Sequence, residues 1–162
     1  VPTLKHGDNY IWDSLAICEY MSDLYPEKSF WPKNVKVRAH ARSVSAEMHS
    51  GFEALRSAMP MACHSIFERP ELSGDLKKDI ERVFKIWSEC REKYADSGPY
   101  LFGEYSIADM MYAPVVFRFN SYQIELPAAL TKYCQTMLGH PDIKGWLADA
   151  NPNDLAEPDQ RL

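Results

Sequence analysis

The sequence has no excess of basic residues and no long apolar run. Its 162 residues include 18 Lys and Arg against 23 Asp and Glu, so the net charge is −5. The positive charges form no block of the kind that binds nucleic acid or an anionic membrane surface. The longest nearly unbroken apolar run, residues 110–117, is far shorter than the roughly 20 residues that span a bilayer. We therefore expect neither nucleic acid nor a membrane as a partner.

Cysteine is also scarce, and no CxxC pair is present. This excludes a disulfide-rich framework. Cys63 and His64 are neighbours, but adjacent side chains point apart and no second pair lies at ligand spacing, so we expect no zinc site. We expect reduced thiols in a cytoplasmic protein, packed mostly as small apolar groups. The four cysteines are Cys18, Cys63, Cys90 and Cys134.

Apolar residues at helical spacing dominate the chain, which is 46% apolar and long enough for a sizeable core. Spacings of three and four residues run from Val37 to Met59 and predict one long helix, which Pro60 ends or kinks. The same spacing predicts further helices at residues 76–94, after Ser106, at 127–138 and at 141–149.

The first fourteen residues indicate a hairpin followed by an abrupt helix start. Pro2 has no N–H for a ladder, so its strand edge fits a partner other than a neighbouring strand, and a cis Val1–Pro2 bond would suit that place. The Val1 backbone could then pair with an extended, peptide-like ligand. Asp13 and Ser14 stand at a helix N-terminus, which attracts a carboxylate. The alternatives are that Asp13 is an ordinary N-cap and that Val1-Pro2 is only the start of a strand.

Ser106 and Asp109 form the Ser/Asp variant of a capping box, in which each side chain satisfies a backbone N–H of the other residue. The helix that follows is apolar nearly all round, so we expect it to be buried. Asp109 is a carboxylate that could be mistaken for a catalytic group. Its place in the cap predicts a structural role.

A second stripe on the long predicted helix combines an imidazole, an aromatic ring and a guanidinium. It contains Ser45, His49, Phe52 and Arg56. A groove for an acidic, partly apolar ligand needs such groups, but a solvated helix flank with one core phenylalanine fits the pattern as well. Tyr112 and Phe119 share a face of the later helix, where core packing and a groove wall are equally consistent with the sequence.

The N-terminal stretch resembles the second half of the glutathione-binding domain of cytosolic glutathione transferases. The resemblance rests on Val1-Pro2-Thr3-Leu4, the Gly7-Asp8 turn, and residues 13–20 followed by Tyr25-Pro26. The Ser106-Ile107-Ala108-Asp109 stretch is similar to the capping box of that family's helical domain. The resemblance implies a mostly α fold in which a partial thioredoxin-like α/β piece precedes an all-α domain. The implied divisions are 1–26 for this piece, 27–34 for a linker, 35–150 for the helical domain and 151–162 for a tail.

The resemblance also implies residue roles. Val1 before a cis-Pro2 would pair with the cysteinyl backbone of glutathione, and Asp13 with Ser14 would bind its γ-glutamyl end. Asp13 departs from the family, which more often has Glu or Gln there. Residues of the long helix and the later buried helix would line the pocket for an electrophilic second substrate. They are His49, Phe52, Arg56, Tyr112 and Phe119.

The resemblance leaves a piece of the domain unaccounted for, because a βαβ unit should precede Val1. There the family keeps the Ser, Cys or Tyr that lowers the pKa of the glutathione thiol, so no catalytic residue is assigned in this chain. Since it also begins without methionine, we expect that its true start is missing. The implied protein is a homodimeric glutathione transferase that conjugates the thiolate of its co-substrate glutathione to small electrophiles. Alternatives are a glutathione-dependent isomerase or dehalogenase, and a non-catalytic interaction module.

Overall fold

The computed structural model describes residues 2–150, which form one β-hairpin and seven α-helices. The mostly helical architecture after a small hairpin confirms the predicted fold class. Val1 and residues 151–162 lie outside the described residues. The predicted cis Val1–Pro2 bond, the predicted role of the Val1 backbone and the predicted tail therefore all fall there. The elements are β1 (Thr3–His6), β2 (Asn9–Trp12), α1 (Ser14–Leu24), α2 (Val35–Ser50), α3 (Glu53–Ala58), α4 (Gly74–Tyr94), α5 (Ile107–Ser121), α6 (Ala128–Gly139) and α7 (Pro141–Asp149).

The two strands pair antiparallel, with Leu4 opposite Ile11 and His6 opposite Asn9. Gly7 adopts a positive φ of 61°, which a two-residue hairpin turn requires and which glycine reaches at little cost. The chain leaves β2 directly into α1, whose residues are at most partly buried. The hairpin and α1 therefore lie at the surface, with Leu15 and Cys18 packed against the edge of the core.

The segment between α1 and α2 is held in place by the Trp31 side chain and the Phe30 backbone. Trp31 is only 5% exposed, and its Nε1–H donates to Glu19 Oε2 at 3.1 Å. The Phe30 carbonyl accepts from the Ile107 backbone N–H at the start of α5. This segment thus connects α1 to the start of the buried helix.

The core lies among α2, α4, α5 and α6, with Trp87 at its centre. Trp87 is fully buried and meets the rings of Tyr112, Phe119 and Tyr133 edge-on, with centroids 5.0 to 5.7 Å apart. Such edge-to-face pairs add to the free energy that area burial alone provides. Among the described residues, no helix has the length and apolar composition to cross a membrane.

The predicted capping box is present, and the Asp109 carboxylate also binds groups outside the box. Asp109 accepts from the Ser106 backbone N–H at 3.0 Å and is fully buried. It also accepts from the Leu101 N–H at 3.0 Å and from the Tyr133 hydroxyl at 3.1 Å. Burial raises the pKa of Asp109 to about 6, while these donors act in the opposite direction. The structural role predicted for Asp109 is confirmed.

The single long helix predicted from Val37 to Met59 is wrong. α2 ends at Ser50, Gly51 is extended, and Phe52 adopts a left-handed conformation (φ 62°) before α3 begins. The break brings Phe52 to 6% exposure in the core. Arg56 turns back and donates to the Met48 and His49 carbonyls, which a continuing helix would otherwise satisfy.

Candidate functional site

The candidate site lies where the start of α1 meets the end of α2. Asp13 joins β2 to α1 and adopts φ 84° and ψ 131°, a sparsely populated conformation for a residue with a side chain. Such a conformation costs on the order of 1–3 kcal/mol and often marks a ligand site. Asp13 Oδ1 accepts from the Leu15 and Ala16 N–H groups at 2.9 and 3.1 Å. Asp13 is therefore an N-cap, as the alternative interpretation of the sequence had it.

Asp13 carries a negative charge that its surroundings stabilise. The Ala16 N–H makes the largest contribution to a pKa below the usual value, and His49 and the Leu15 N–H lower the pKa further against a partial desolvation. With Oδ1 committed to the cap, Oδ2 is the oxygen that can face a ligand. An ionised oxygen in this place suits a cationic group such as an ammonium.

His49 occupies that second oxygen. Its Nε2 lies 2.8 Å from Asp13 Oδ2, and the two side chains are 35% and 39% exposed. The contact joins the last turn of α2 to the first residue before α1. The sequence assigned Asp13 and His49 to two different substrates, whereas the structure brings them into direct contact.

Ser14 is the first residue of α1 and is exposed, so a ligand can reach it. Asp13 already binds the N–H groups of Leu15 and Ala16, and its carbonyl accepts from the Ile17 N–H at 3.0 Å. The helix tip therefore offers fewer donors to an anion than the sequence pattern suggests. The Ser14 hydroxyl and its backbone N–H are the groups left for a carboxylate. Pro2 lies just before β1 and is also exposed.

Phe52 and Arg56 follow His49 closely in the sequence but belong to a different helix. His49 lies in the last turn of α2, whereas Phe52 is the N-cap of α3 and Arg56 lies within α3. Phe52 is buried, and Arg56 is exposed with its guanidinium on the α2 carbonyls. Arg118 of α5 lies near Arg56, and burial together with this neighbouring charge lowers its pKa. Arg118 donates to the Met59 and Pro114 carbonyls at 2.8 and 3.1 Å. Neither arginine forms an ion pair with another described residue.

Tyr112 and Phe119 are buried, although Phe119 also borders a cavity of about 320 Å³ that residues of α5 and α6 line. Their exposures are 0% and 1%, and both rings pack on Trp87. The Tyr112 hydroxyl donates to the Val44 carbonyl at 3.2 Å, and burial raises the pKa of Tyr112 far above its ordinary value. The alternative that these residues pack in the core accounts for them.

A groove that sequence reasoning missed runs along α5 beside α7. It has a volume of about 320 Å³ and apolar walls, among them Met61, Met110, Phe117 and Trp146, with Asp142 at its edge. Trp146 is 48% exposed. The lining residues come from separate segments, so no periodicity in the sequence connects them. Between residues 2 and 150 no group of three or more His, Cys, Asp or Glu could hold a metal ion.

Residues 38–149 match the family model described as "Glutathione S-transferase, C-terminal domain". This match covers well over half of the chain. The chain belongs to the glutathione S-transferase family. The matched range lies within the predicted helical domain.

Several curated proteins are similar to the chain. Glutathione S-transferase L1 of Arabidopsis thaliana is 25% identical over 151 residues, covering 93% of this chain and 56% of that protein. A probable maleylacetoacetate isomerase of Caenorhabditis elegans is 28% identical and is matched over 78% of this chain and 58% of that protein. A maleylacetoacetate isomerase of Dictyostelium discoideum is 27% identical, with 98% and 73% covered. The chain thus spans little more than half the length of the first two.

Solved structures share the fold. A glutathione transferase homologue from Burkholderia, crystallised with bound glutathione, has a TM-score of 0.68 at 24% identity, with 93% of this chain and 74% of that chain covered. A ternary complex of a bacterial glutathione transferase has a TM-score of 0.63 at 20% identity, with 91% and 72% covered. At these identities the likeness shows the fold alone.

Proposed function

We propose that the intact protein binds glutathione at the start of α1 and transfers its thiolate to small, partly apolar electrophiles. The observation that carries this proposal is that an ionised Asp13 and an exposed Ser14 stand side by side at the N-terminus of α1, in a chain of this family. The γ-glutamyl end of glutathione carries both an ammonium and a carboxylate. The two residues offer one acceptor and one donor that match this pair.

In this proposal Asp13 Oδ2 takes the γ-glutamyl ammonium, and the Ser14 hydroxyl with its N–H takes the carboxylate. Val1 and Pro2 hold the cysteinyl backbone of the tripeptide. The nucleophile is the thiolate rather than the thiol. The group that activates it belongs to a part of the intact protein that would precede Val1, so this chain supplies binding and orientation.

The second substrate lies next to glutathione in a pocket that includes His49, Phe52 and Arg56. In this proposal Phe52, which is buried at the α2–α3 break, contributes an apolar surface. His49 and Arg56 supply polar groups above it. Tyr112 and Phe119 are removed from the set because the core encloses them.

A second candidate function is glutathione-dependent isomerisation of a carboxylate-bearing substrate. Two observations favour it. Arg56 and Arg118 lie near each other without an ion-pair partner among the described residues, and guanidinium groups bind carboxylates well. Two of the similar proteins carry the name maleylacetoacetate isomerase. Activity of the intact protein towards a maleyl-type substrate, compared with aryl halides and epoxides, separates the two reactions.

The test of the glutathione site uses Ser14→Ala in the intact protein. Loss of a hydrogen bond to a charged carboxylate costs about 1.5–3 kcal/mol, so we expect the glutathione KM to rise roughly tenfold or more. Ser43→Ala is the matched control, because Ser43 is an exposed helix serine that bonds only to the Ala39 carbonyl one turn earlier. An unchanged KM for Ser14→Ala removes Ser14 from the site.

Retention on immobilised glutathione separates both enzymes from an interaction module, which has no need of the Ser14 contact. A protein that neither binds glutathione nor turns over any of these substrates is such a module. The homodimer and the cytoplasmic location remain part of the proposal, and analytical ultracentrifugation of the intact protein tests the first.

A further inference from the structure

We propose that the apolar groove between α5 and α7 holds the second substrate and that Arg118 binds a carboxylate of that substrate. Such a substrate is a carboxylate with a small apolar body, and its assignment rests on the proposed function. The groove has a volume of about 320 Å³, which is near the lower limit of small-molecule sites and suits a body of one ring. It continues the proposed pocket, because Arg56 of that pocket lies near Arg118.

Aromatic contacts at two levels set the direction of the groove. Tyr105, just before α5, stacks on His140, just before α7, with ring centroids 3.8 Å apart. Phe117, near the end of α5, meets Trp146 of α7 with centroids 5.5 Å apart. The two helices therefore run side by side in the same direction, and the groove follows them. Trp146 is about half exposed, so a ligand can reach the groove from solvent.

The two ends of the groove carry opposite charges. Asp142, in the first turn of α7, lines the groove together with Tyr105. Arg118 follows Phe117 directly, and at a rise of 1.5 Å per residue it lies roughly 16 Å along the axis from Ile107, where α5 begins. An anion is favoured at the Arg118 end and disfavoured at the Asp142 end. A ligand with one carboxylate and an apolar body therefore fits in a single orientation.

Arg118 is held in place with part of its guanidinium free. Its Nε donates to the Met59 carbonyl at 2.8 Å, and its Nη1 donates to the Pro114 carbonyl at 3.1 Å. Pro114 lines the groove, and so does Met61, two residues after Met59. Nη2 has no hydrogen-bond partner among residues 2–150. Because two bonds fix the guanidinium, its free amino group is already oriented when a carboxylate arrives.

The positive charge of Arg118 lacks a compensating anion. The side chain is partly buried, and its charged neighbour is a second guanidinium, that of Arg56. Burial and then this like charge lower the pKa of Arg118. A charge that is removed from water without a partner is costly, and a bound carboxylate offsets this cost through charge-assisted hydrogen bonds.

The experiment is an NMR titration of the intact protein, without glutathione, with 4-phenylbutanoate and with its neutral analogue 4-phenylbutanamide. The indole N–H signal of Trp146, assigned by its absence from Trp146→Phe, reports occupation of the groove. Both compounds should shift this signal. The Kd of the carboxylate should be about tenfold lower or more, because only the carboxylate accepts hydrogen bonds as an anion. Equal Kd values, or a Trp146 signal that neither compound moves, overturn the inference.

Arg118→Gln removes the charge, so the Kd of 4-phenylbutanoate should rise about tenfold, to that of the amide, whose own Kd should not change. Arg118→Lys keeps the charge and should bind the carboxylate more tightly than Arg118→Gln does. Arg38→Gln is the matched control, because Arg38 also donates to two carbonyls, those of Pro32 and Lys33, at the other end of α2. An unchanged Kd in Arg118→Gln overturns the role of Arg118. If Arg118→Gln does not fold, the comparison of the two compounds in the wild type decides.

Retention on immobilised glutathione tests the proposed function separately. If the intact protein is retained but binds the carboxylate and the amide equally, the proposed function stands and the groove is not a carboxylate site. If it prefers the carboxylate but is not retained, the proposed function is overturned, and the groove binds carboxylates without serving as the second-substrate site of a glutathione transferase.

Discussion

At the scale of the residue, the most consequential group outside the site is the buried carboxylate of Asp109. Three elements depend on it, since it accepts from the segment before α5, from α5's own N-terminus and from Tyr133 of α6. Buried N–H groups that lose their acceptor cost more than the bond itself contributes. Asp109 thus caps α5 and also forms a junction that joins α5 to α6 and to the segment before α5.

We expect Asp109→Ala to lower the free energy of unfolding of the intact protein by about 3–5 kcal/mol at pH 7.5, because two backbone N–H groups and a hydroxyl stay buried without an acceptor. Urea denaturation measures this change. Asp23→Ala, at an exposed position on α1, should change it by less than about 0.5 kcal/mol. A loss of under 1 kcal/mol for Asp109→Ala contradicts the role as a junction.

At the scale of the element, the break between α2 and α3 shapes the site. Two neighbouring residues produce it: Gly51 in an extended conformation and Phe52 in a left-handed one. The break ends α2 just after His49, which places the imidazole at a helix end rather than mid-helix. It also frees the Met48 and His49 carbonyls for Arg56. A continuous helix would present His49, Phe52 and Arg56 as one stripe and would leave Phe52 outside the core.

Two glycine substitutions should act in opposite directions. A Cβ at Gly51 would lie 2.9 Å from the Glu47 carbonyl oxygen, so Gly51→Ala should destabilise the protein by about 1–3 kcal/mol. A Cβ at Gly145, inside α7, meets nothing within 4 Å. Gly145→Ala should therefore stabilise by up to about 1 kcal/mol through helix propensity. Chemical denaturation of both variants checks the pair, and effects of the same sign contradict the account of the break.

At the scale of the whole molecule, the hairpin and α1 are joined to the helical domain by a small polar cluster. Glu19 accepts two bonds from the Arg42 guanidinium, at 3.1 and 3.0 Å, and a third from the Trp31 indole. Arg42 also lies over the Trp31 ring at 5.6 Å. The His49 contact with Asp13 is a second connection of the same kind. The site thus lies on the boundary between the two parts, and its geometry depends on how they dock.

We expect Glu19→Ala to loosen the hairpin without disturbing the helical core. It leaves the Trp31 indole N–H without its acceptor and removes a bidentate partner of Arg42, at a cost of about 1–2 kcal/mol. Amide hydrogen exchange should accelerate about 5- to 30-fold in residues 3–24 and stay unchanged in α4 and α5.

Glu125→Ala is the control for this experiment, because the Arg69–Glu125 pair is a surface contact in which the Glu125 side chain is 87% exposed. Its exchange pattern should match the wild type. Uniform acceleration in every helix of the Glu19→Ala variant would mean that the cluster supports the fold as a whole rather than the docking of the hairpin.

The sequence by itself determined the features that depend on neighbours along the chain. The hairpin turn at Gly7 follows from the positive φ that glycine reaches at little cost. The cap by Asp13, the Ser106–Asp109 box and the start of α7 follow from side chains that bond to nearby backbone. The periodicity of apolar residues also predicted α4 and α6 within two residues at each end.

Only the tertiary structure decided which of these residues meet. Tyr112 and Phe119 read equally well as core or as groove wall, and the packing of Trp87 between α4, α5 and α6 placed them in the core. The contact of His49 with Asp13 joins residues 36 positions apart and leaves no periodic signal. The break at Gly51 arises because burial of Phe52 and the Arg56 bonds outweigh a continuous helix. Such outcomes depend on contacts between distant segments, which a pattern of near neighbours does not contain.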